Sequence, residues 1–185
     1  MGKLSNLLFI HAVRSIIGRA VFVFLLVVSL GAPLSAATKV YEKPSVFLKR
    51  TLGAVPKTQV LELNRTQQAQ LKRIFGHSYK EQKVRYWKSG GKTAFILNEI
   101  GKSKPITTGL IVQGGKLVEV KVLVYRESHG WEVSKPFFTQ QFVGSSLKGH
   151  KLDRRIDGIV GATLSVNAMK KLGAAALYLS QQTGK

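Results

Sequence analysis

The chain has 185 residues, 44% of them hydrophobic, and a formal charge of +20, which suits one domain with a core of ordinary size plus an appended segment. It has no cysteine, which excludes disulfides, thiol catalysis, Cys-ligated iron–sulfur clusters and Cys-x-x-Cys-His haem attachment within this chain. Redox chemistry here would need a borrowed cofactor.

Residues 1–37 read as a targeting segment. Lys3, Arg14 and Arg19 precede an apolar run over residues 20–30, Gly31-Ala32-Pro33 breaks that run, and Ser35-Ala36-Ala37 gives a small-x-small cleavage pattern. The segment is an export signal cut after Ala37, or an uncleaved anchor, since the uncharged interval from Ala20 to Thr38 is long enough to span a hydrocarbon layer of roughly 30 Å. Arg14 and Arg19 are separated, so there is no twin-arginine pair to argue for export of a prefolded protein. Residues 38–80 read as the helical N-terminal part of one domain covering 38–185. A break falls at Gly53-Ala54-Val55-Pro56, and Asn64 is placed to cap a helix over Arg65–Phe75 that Gly76 closes. His77, just past that helix end, is expected to be solvated or capping.

The middle of the chain changes period. Lys83–Trp87 and Thr93–Leu97 flank Gly90-Gly91, and Gly109–Val112 and Leu117–Tyr125 flank Gly114-Gly115, the pattern of two hairpins. Val118, Val120, Val122 and Val124 alternate with Glu119 and Lys121, so about four antiparallel strands are expected to bury one face. A helix from about Lys135 to Val143 and a C-terminal helix would cover it. In the latter, Leu164, Ala168, Leu172 and Ala176 recur at i+4 with Ala175 and Leu179 alongside. The class is α+β.

The C-terminal helix is preceded by Asp157-Gly158-Ile159-Val160-Gly161-Ala162-Thr163-Leu164-Ser165. Thr163 falls near the helix start, where first-turn N–H groups lack intrahelical partners and the dipole is positive, so a phosphate beside that hydroxyl would be stabilised. Thr163 is thus a helix cap, a phosphate contact, or an acceptor that is itself modified. A second stretch, Glu127-Ser128-His129-Gly130-Trp131, is a polar loop at the end of the longest strand, a common place for ligand contacts. Trp131 either fills the core or stacks on a ligand. The four histidines show no metal-ligand spacing.

Both stretches resemble the FMN-binding domain family, found in subunits of sodium-pumping NADH:quinone reductase and of the Rnf electron-transport complex. The family motif reads roughly Asp-Gly-x-Ser/Thr-Gly-Ala-Thr; Asp157, Gly158, Gly161, Ala162 and Thr163 match it, and Val160 departs where a small hydroxyl residue is usual. Glu127 and Gly130 match the family's Glu-Thr-Pro-Gly-Leu-Gly loop, with Ser128, His129 and Trp131 as replacements, and Phe142-Val143-Gly144 matches its downstream Phe-x-Gly. The resemblance spans about Tyr86 to Ser180 and makes 81–185 the flavin-binding core.

It implies FMN as cofactor, attached through a phosphodiester to Thr163 by a separate flavin transferase that consumes FAD and releases AMP. It further implies contacts from Gly161, Ala162, Asp157, Leu164 and Ser165 around the attachment point, and from Glu127, Ser128, Gly130 and Trp131 around the flavin ring. The resulting expectation is an extracytoplasmic electron carrier between membrane redox proteins, an electron-transfer module rather than a self-sufficient enzyme. Two alternatives stay open: a noncovalent FMN-binding sensor or assembly module, and a basic envelope protein without cofactor. An exported chain rarely meets nucleic acid, so the excess charge is read as solvated surface or as attraction to anionic lipid or an acidic redox partner. The cluster from Lys148 to Arg155 leads directly into the acceptor loop.

Overall fold

The computed structural model describes residues 38–183. Strands β1 (Lys39–Val40), β2 (Gln59–Glu62), β3 (Lys83–Ser89), β4 (Lys92–Ile100), β5 (Pro105–Gln113) and β6 (Lys116–Tyr125) form one antiparallel sheet in the order β1-β6-β5-β4-β3-β2. The β3–β4 and β5–β6 hairpins turn at Gly90-Gly91 and Gly114-Gly115. All four glycines have positive φ, which a two-residue turn matched to strand twist requires at both positions. Helices α1 (Pro44–Leu52), α2 (Arg65–Phe75), α3 (Pro136–Thr139) and α4 (Thr163–Gln182) complete the fold, with a small β7 (Leu147–Lys148), β8 (Lys151–Leu152) hairpin. The α+β class stands as expected. So does α2: Asn64 Oδ1 accepts from the Gln67 N–H at 2.9 Å and Gln67 Oε1 accepts from the Asn64 N–H at 2.9 Å, a reciprocal cap, and left-handed Gly76 ends the helix.

Three local expectations change. First, the sheet is buried on both faces. One face packs against α2 and α4 through Leu71, Phe75, Phe95, Leu110, Val120, Leu172 and their neighbours; the other packs against α1 through Phe47, Leu48, Trp87, Ala94, Ile111 and Leu123. Phe47 lies so close to Gly109 that a Cβ there would sit 2.6 Å from the ring, so the α1 face depends on a glycine in β5. Glu119, which reads in sequence as a solvated residue, is held by Arg50 of α1 at 2.6 Å, and Arg50 also grips Glu42 at 3.0 Å. Register shifts against β5 break the simple alternation of β6, and Leu117, Val120, Val122 and Tyr125 all reach the same core.

Second, residues 38–80 are not helical throughout. β1 pairs with the end of β6 and β2 with β3, so this part supplies both edges of the same sheet. Strands of two and four residues leave almost no periodic trace. Third, the helix expected over 135–143 is the short α3 followed by a 3-10 turn (Gln140–Phe142); with another 3-10 turn just before them (Trp131–Ser134), they bury Val133, Phe138 and Phe142. Helix α4 buries Ala168, Leu172, Ala175, Ala176 and Leu179 as expected, but Leu164 is 51% exposed. The targeting segment lies outside the described residues; among those described, no helix is long and apolar enough to cross a membrane.

Candidate functional site

Three segments converge where α4 begins: the turn between β4 and β5, the loop after β6, and the first turn of α4. Ser165 is their meeting point. A Cβ built on Gly101 would lie 3.2 Å from Ser165 Oγ, and one built on Gly130 would lie 3.0 Å from Ser165 Oγ, 3.0 Å from the Tyr125 hydroxyl and 3.1 Å from Ala162 Cβ. Gly130 also has φ 81°, a conformation that side chains rarely adopt, so two independent reasons require glycine there. The Tyr125 hydroxyl donates to the His129 carbonyl at 2.5 Å and lies 2.9 Å from Ser165 Oγ. A phenol has one proton, so Ser165 is the donor in the second bond. Burial pushes the Tyr125 phenol up; the bond from Ser165 opposes that, and the nearby Glu127 charge adds to it.

Glu127 fixes the β4–β5 turn. Its Oε1 accepts from the N–H groups of Lys102 at 2.5 Å, Ser103 at 2.6 Å and Lys104 at 2.8 Å, while Oε2 accepts from the Ser103 hydroxyl at 3.1 Å. Burial pushes this carboxyl up, but the three N–H bonds and the hydroxyl outweigh it and hold Glu127 below the usual carboxylate range. Its oxygens are committed to the protein, and its effect on any ligand passes through the turn and loop it joins.

Thr163 is the first residue of α4, and its neighbours leave it open. The N-cap position is Ala162, which has no capping side chain, and no acidic residue occupies the first turn. The first intrahelical bond runs from the Val166 N–H to the Ala162 carbonyl, so the N–H groups of residues 163–165 have no helical partner. Thr163 is exposed; Ser165 is 4% exposed and engaged with Tyr125. Gly161 has φ 79° and sets the turn into the helix, while Ala162 packs beneath it, 3% exposed. Asp157 points elsewhere: its N–H donates to Gln141 Oε1 at 2.7 Å and its carboxylate is 3.4 Å from Arg155 Nε.

Two clefts flank this helix start. The smaller, about 190 Å³, lies between the loop after β6 and the turn into α4, and Ser128, Gly130, Trp131 and Gly161 line it. Trp131 is 41% exposed, so it does not fill the core; Lys39 and Lys135 hold their ammonium groups 5.5 and 5.0 Å from its ring centroid. Ser128 Oγ is 2.8 Å from His129 Nδ1. The larger cleft, about 660 Å³, lies on the α2 side, and Leu164 is part of its wall.

Residues 101–178 match the family model described as FMN-binding domain. This stretch resembles the FMN-binding domain family. Its cofactor is FMN. The matched residues start in the turn that Glu127 holds and end inside α4, so they contain all three converging segments. No curated protein matches the chain. The domain's residues suit FMN at both ends of the cofactor: the uncapped first turn of α4 can take a phosphate, and the exposed indole beside a cleft offers a flat apolar surface.

The structure thus brings Glu127, Ser128, Gly130 and Trp131 into one loop against Gly161, Ala162 and Ser165, sets Thr163 and Leu164 at its rim, and turns Asp157 toward Gln141 and Arg155. Sequence reasoning missed Tyr125 and residues 101–104. A tyrosine ending a strand looks like any core residue, and Gly101-Lys102-Ser103-Lys104 reads as an ordinary turn. Glu127 stood out in sequence only as one of nine acids in a basic chain, which says nothing of the N–H groups it holds.

Proposed function

We propose that this protein is an extracytoplasmic electron carrier whose FMN is joined through its phosphate to Thr163 Oγ1. The observation that carries this reading is the contrast between an exposed Thr163 at an uncapped helix start and a buried, hydrogen-bonded Ser165 two residues on. Bound FMN supplies reversible one- and two-electron transfer, whereas this chain has no cysteine to form a redox-active disulfide. The chain's own residues do the holding. The free N–H groups of the first turn of α4 would donate to phosphate oxygens, Gly161 would keep the approach to Thr163 clear, and the Tyr125, Gly130 and Ser165 lock fixes the loop that presents Trp131.

A separate flavin transferase delivers the FMN phosphoryl group from FAD to Thr163, and membrane redox proteins exchange electrons with the loaded domain. The basic surface favours anionic lipid headgroups or acidic partner faces within roughly 8–10 Å at moderate salt. Support for the extracytoplasmic location is the signal-like segment 1–37. Protein co-expressed with a flavin transferase should stay yellow after denaturation, and its intact mass should rise by one FMN phosphoryl group. Colour that leaves on denaturation would support a noncovalent FMN module instead, and colourless protein would support a basic envelope protein without cofactor.

A further inference from the structure

The larger cleft has features that the flavin reading does not use. It lies between the C-terminal end of α2, the β7–β8 hairpin and the first turns of α4, and its volume of about 660 Å³ is that of a site for a small organic molecule. Its wall is cationic. Arg73, Lys151 and Lys170 line it and have no ion-pair partner among the described residues. His77 and Lys171 also line it, and both reach the same buried carboxylate, Glu99, at 3.0 and 3.6 Å. That shared pairing leaves the wall with a net positive charge. The Glu99 hydrogen bond holds the His77 imidazole above its usual range, which favours its charged form.

Its interior is apolar. Ile74, Ile156 and Ala168 are buried at its floor, while Ile100 and Leu164, 58% and 51% exposed, stand in its lining. A merely solvated basic surface has no use for a concave aliphatic floor, and a bare inorganic ion would leave that floor wet. A molecule with an anionic group and an apolar body satisfies both.

We propose that this cleft binds a small organic anion with an apolar body, of the aryl carboxylate or aryl sulfonate class. Leu164 lines the cleft and directly follows Thr163, so the bound anion would lie beside the flavin attachment point. Binding itself does not require FMN on Thr163, and the test is therefore made on protein that cannot be loaded there.

Naphthalene-2-sulfonate is titrated calorimetrically into the full chain carrying Thr163→Ala, with inorganic sulfate and neutral 2-naphthol as comparison probes. The expected result is saturable one-to-one binding of the aryl sulfonate at least tenfold tighter than either comparison probe. It should weaken at least tenfold in the Arg73→Glu/Lys170→Glu double variant. Both substituted side chains lie at the surface of the cleft, and a thermal melt checks that the variant is folded. Amide shift mapping of the Thr163→Ala chain gives a readout that needs no charge reversal: shifts should concentrate at residues 73–77, 150–156 and 164–171. Absence of saturable binding, sulfate binding as tightly as the aryl sulfonate, a folded double variant with unchanged affinity, or shifts centred elsewhere would each overturn the proposal.

Discussion

Thr163 and Ser165 stand two residues apart on the same helix and meet opposite surroundings. The spacing turns them roughly 200° from one another about the axis. One side of α4 faces the sheet end, so Ser165 is pressed between Gly101 and Gly130 and donates a hydrogen bond to Tyr125, while Thr163 stays at the surface. Residue type does not separate two hydroxyls at one helix start; helical phase does. The buried hydroxyl builds the platform, and the exposed one is accessible.

The sharpest way to break that contrast is to exchange the roles by mutation. Thr163→Ala should abolish covalent flavin altogether, whereas Ser165→Ala should retain it, as read by in-gel fluorescence after denaturation. Next in size is Gly130→Ala. The new Cβ meets three atoms at about 3 Å on a backbone with positive φ, and crowding of this kind costs about 1–3 kcal/mol, visible as a lower denaturant midpoint. Ser165→Ala should cost about 1 kcal/mol, the usual worth of a buried hydrogen bond, because Tyr125 keeps its bond to His129.

Glu127→Gln should change the pH dependence of stability. The depressed carboxyl of Glu127 contributes stability that is fully present above the unfolded carboxylate range, about pH 4.3, and is lost as pH falls through its lower folded value. The acid limb of an unfolding-versus-pH curve should therefore be steeper in the natural chain than in the variant. Smallest in effect, Trp131→Ala should leave loading intact and shift the flavin absorption spectrum or midpoint potential. An unchanged spectrum and potential in fully loaded protein would remove Trp131 from the cofactor's surroundings.

What could be read from sequence divides along the same line. The paired glycines announced two hairpins, and Asn64 and Gly76 announced the two ends of α2, because turn and cap chemistry is local. The α1 face of the sheet was hidden: Glu119 looks solvated until Arg50 arrives from far along the chain, and Gly109 looks like a weak strand residue until Phe47 lies against it. At the site, the Asp157 to Thr163 motif was visible as a string of residue types. Its geometry was not, since Tyr125 and the 101–104 turn enter only through tertiary contacts, and Glu127 reads as a strand-end acid although its Oε1 is filled by three backbone N–H groups and its Oε2 by the Ser103 hydroxyl.

The most direct test of the account is to locate the modification. Protein co-expressed with a flavin transferase is digested, and the peptide spanning residues 156–170 is fragmented in the mass spectrometer. The account predicts one FMN phosphoryl group, carried by residue 163. An unmodified peptide from fully yellow protein, or the group found on Ser165, would contradict it.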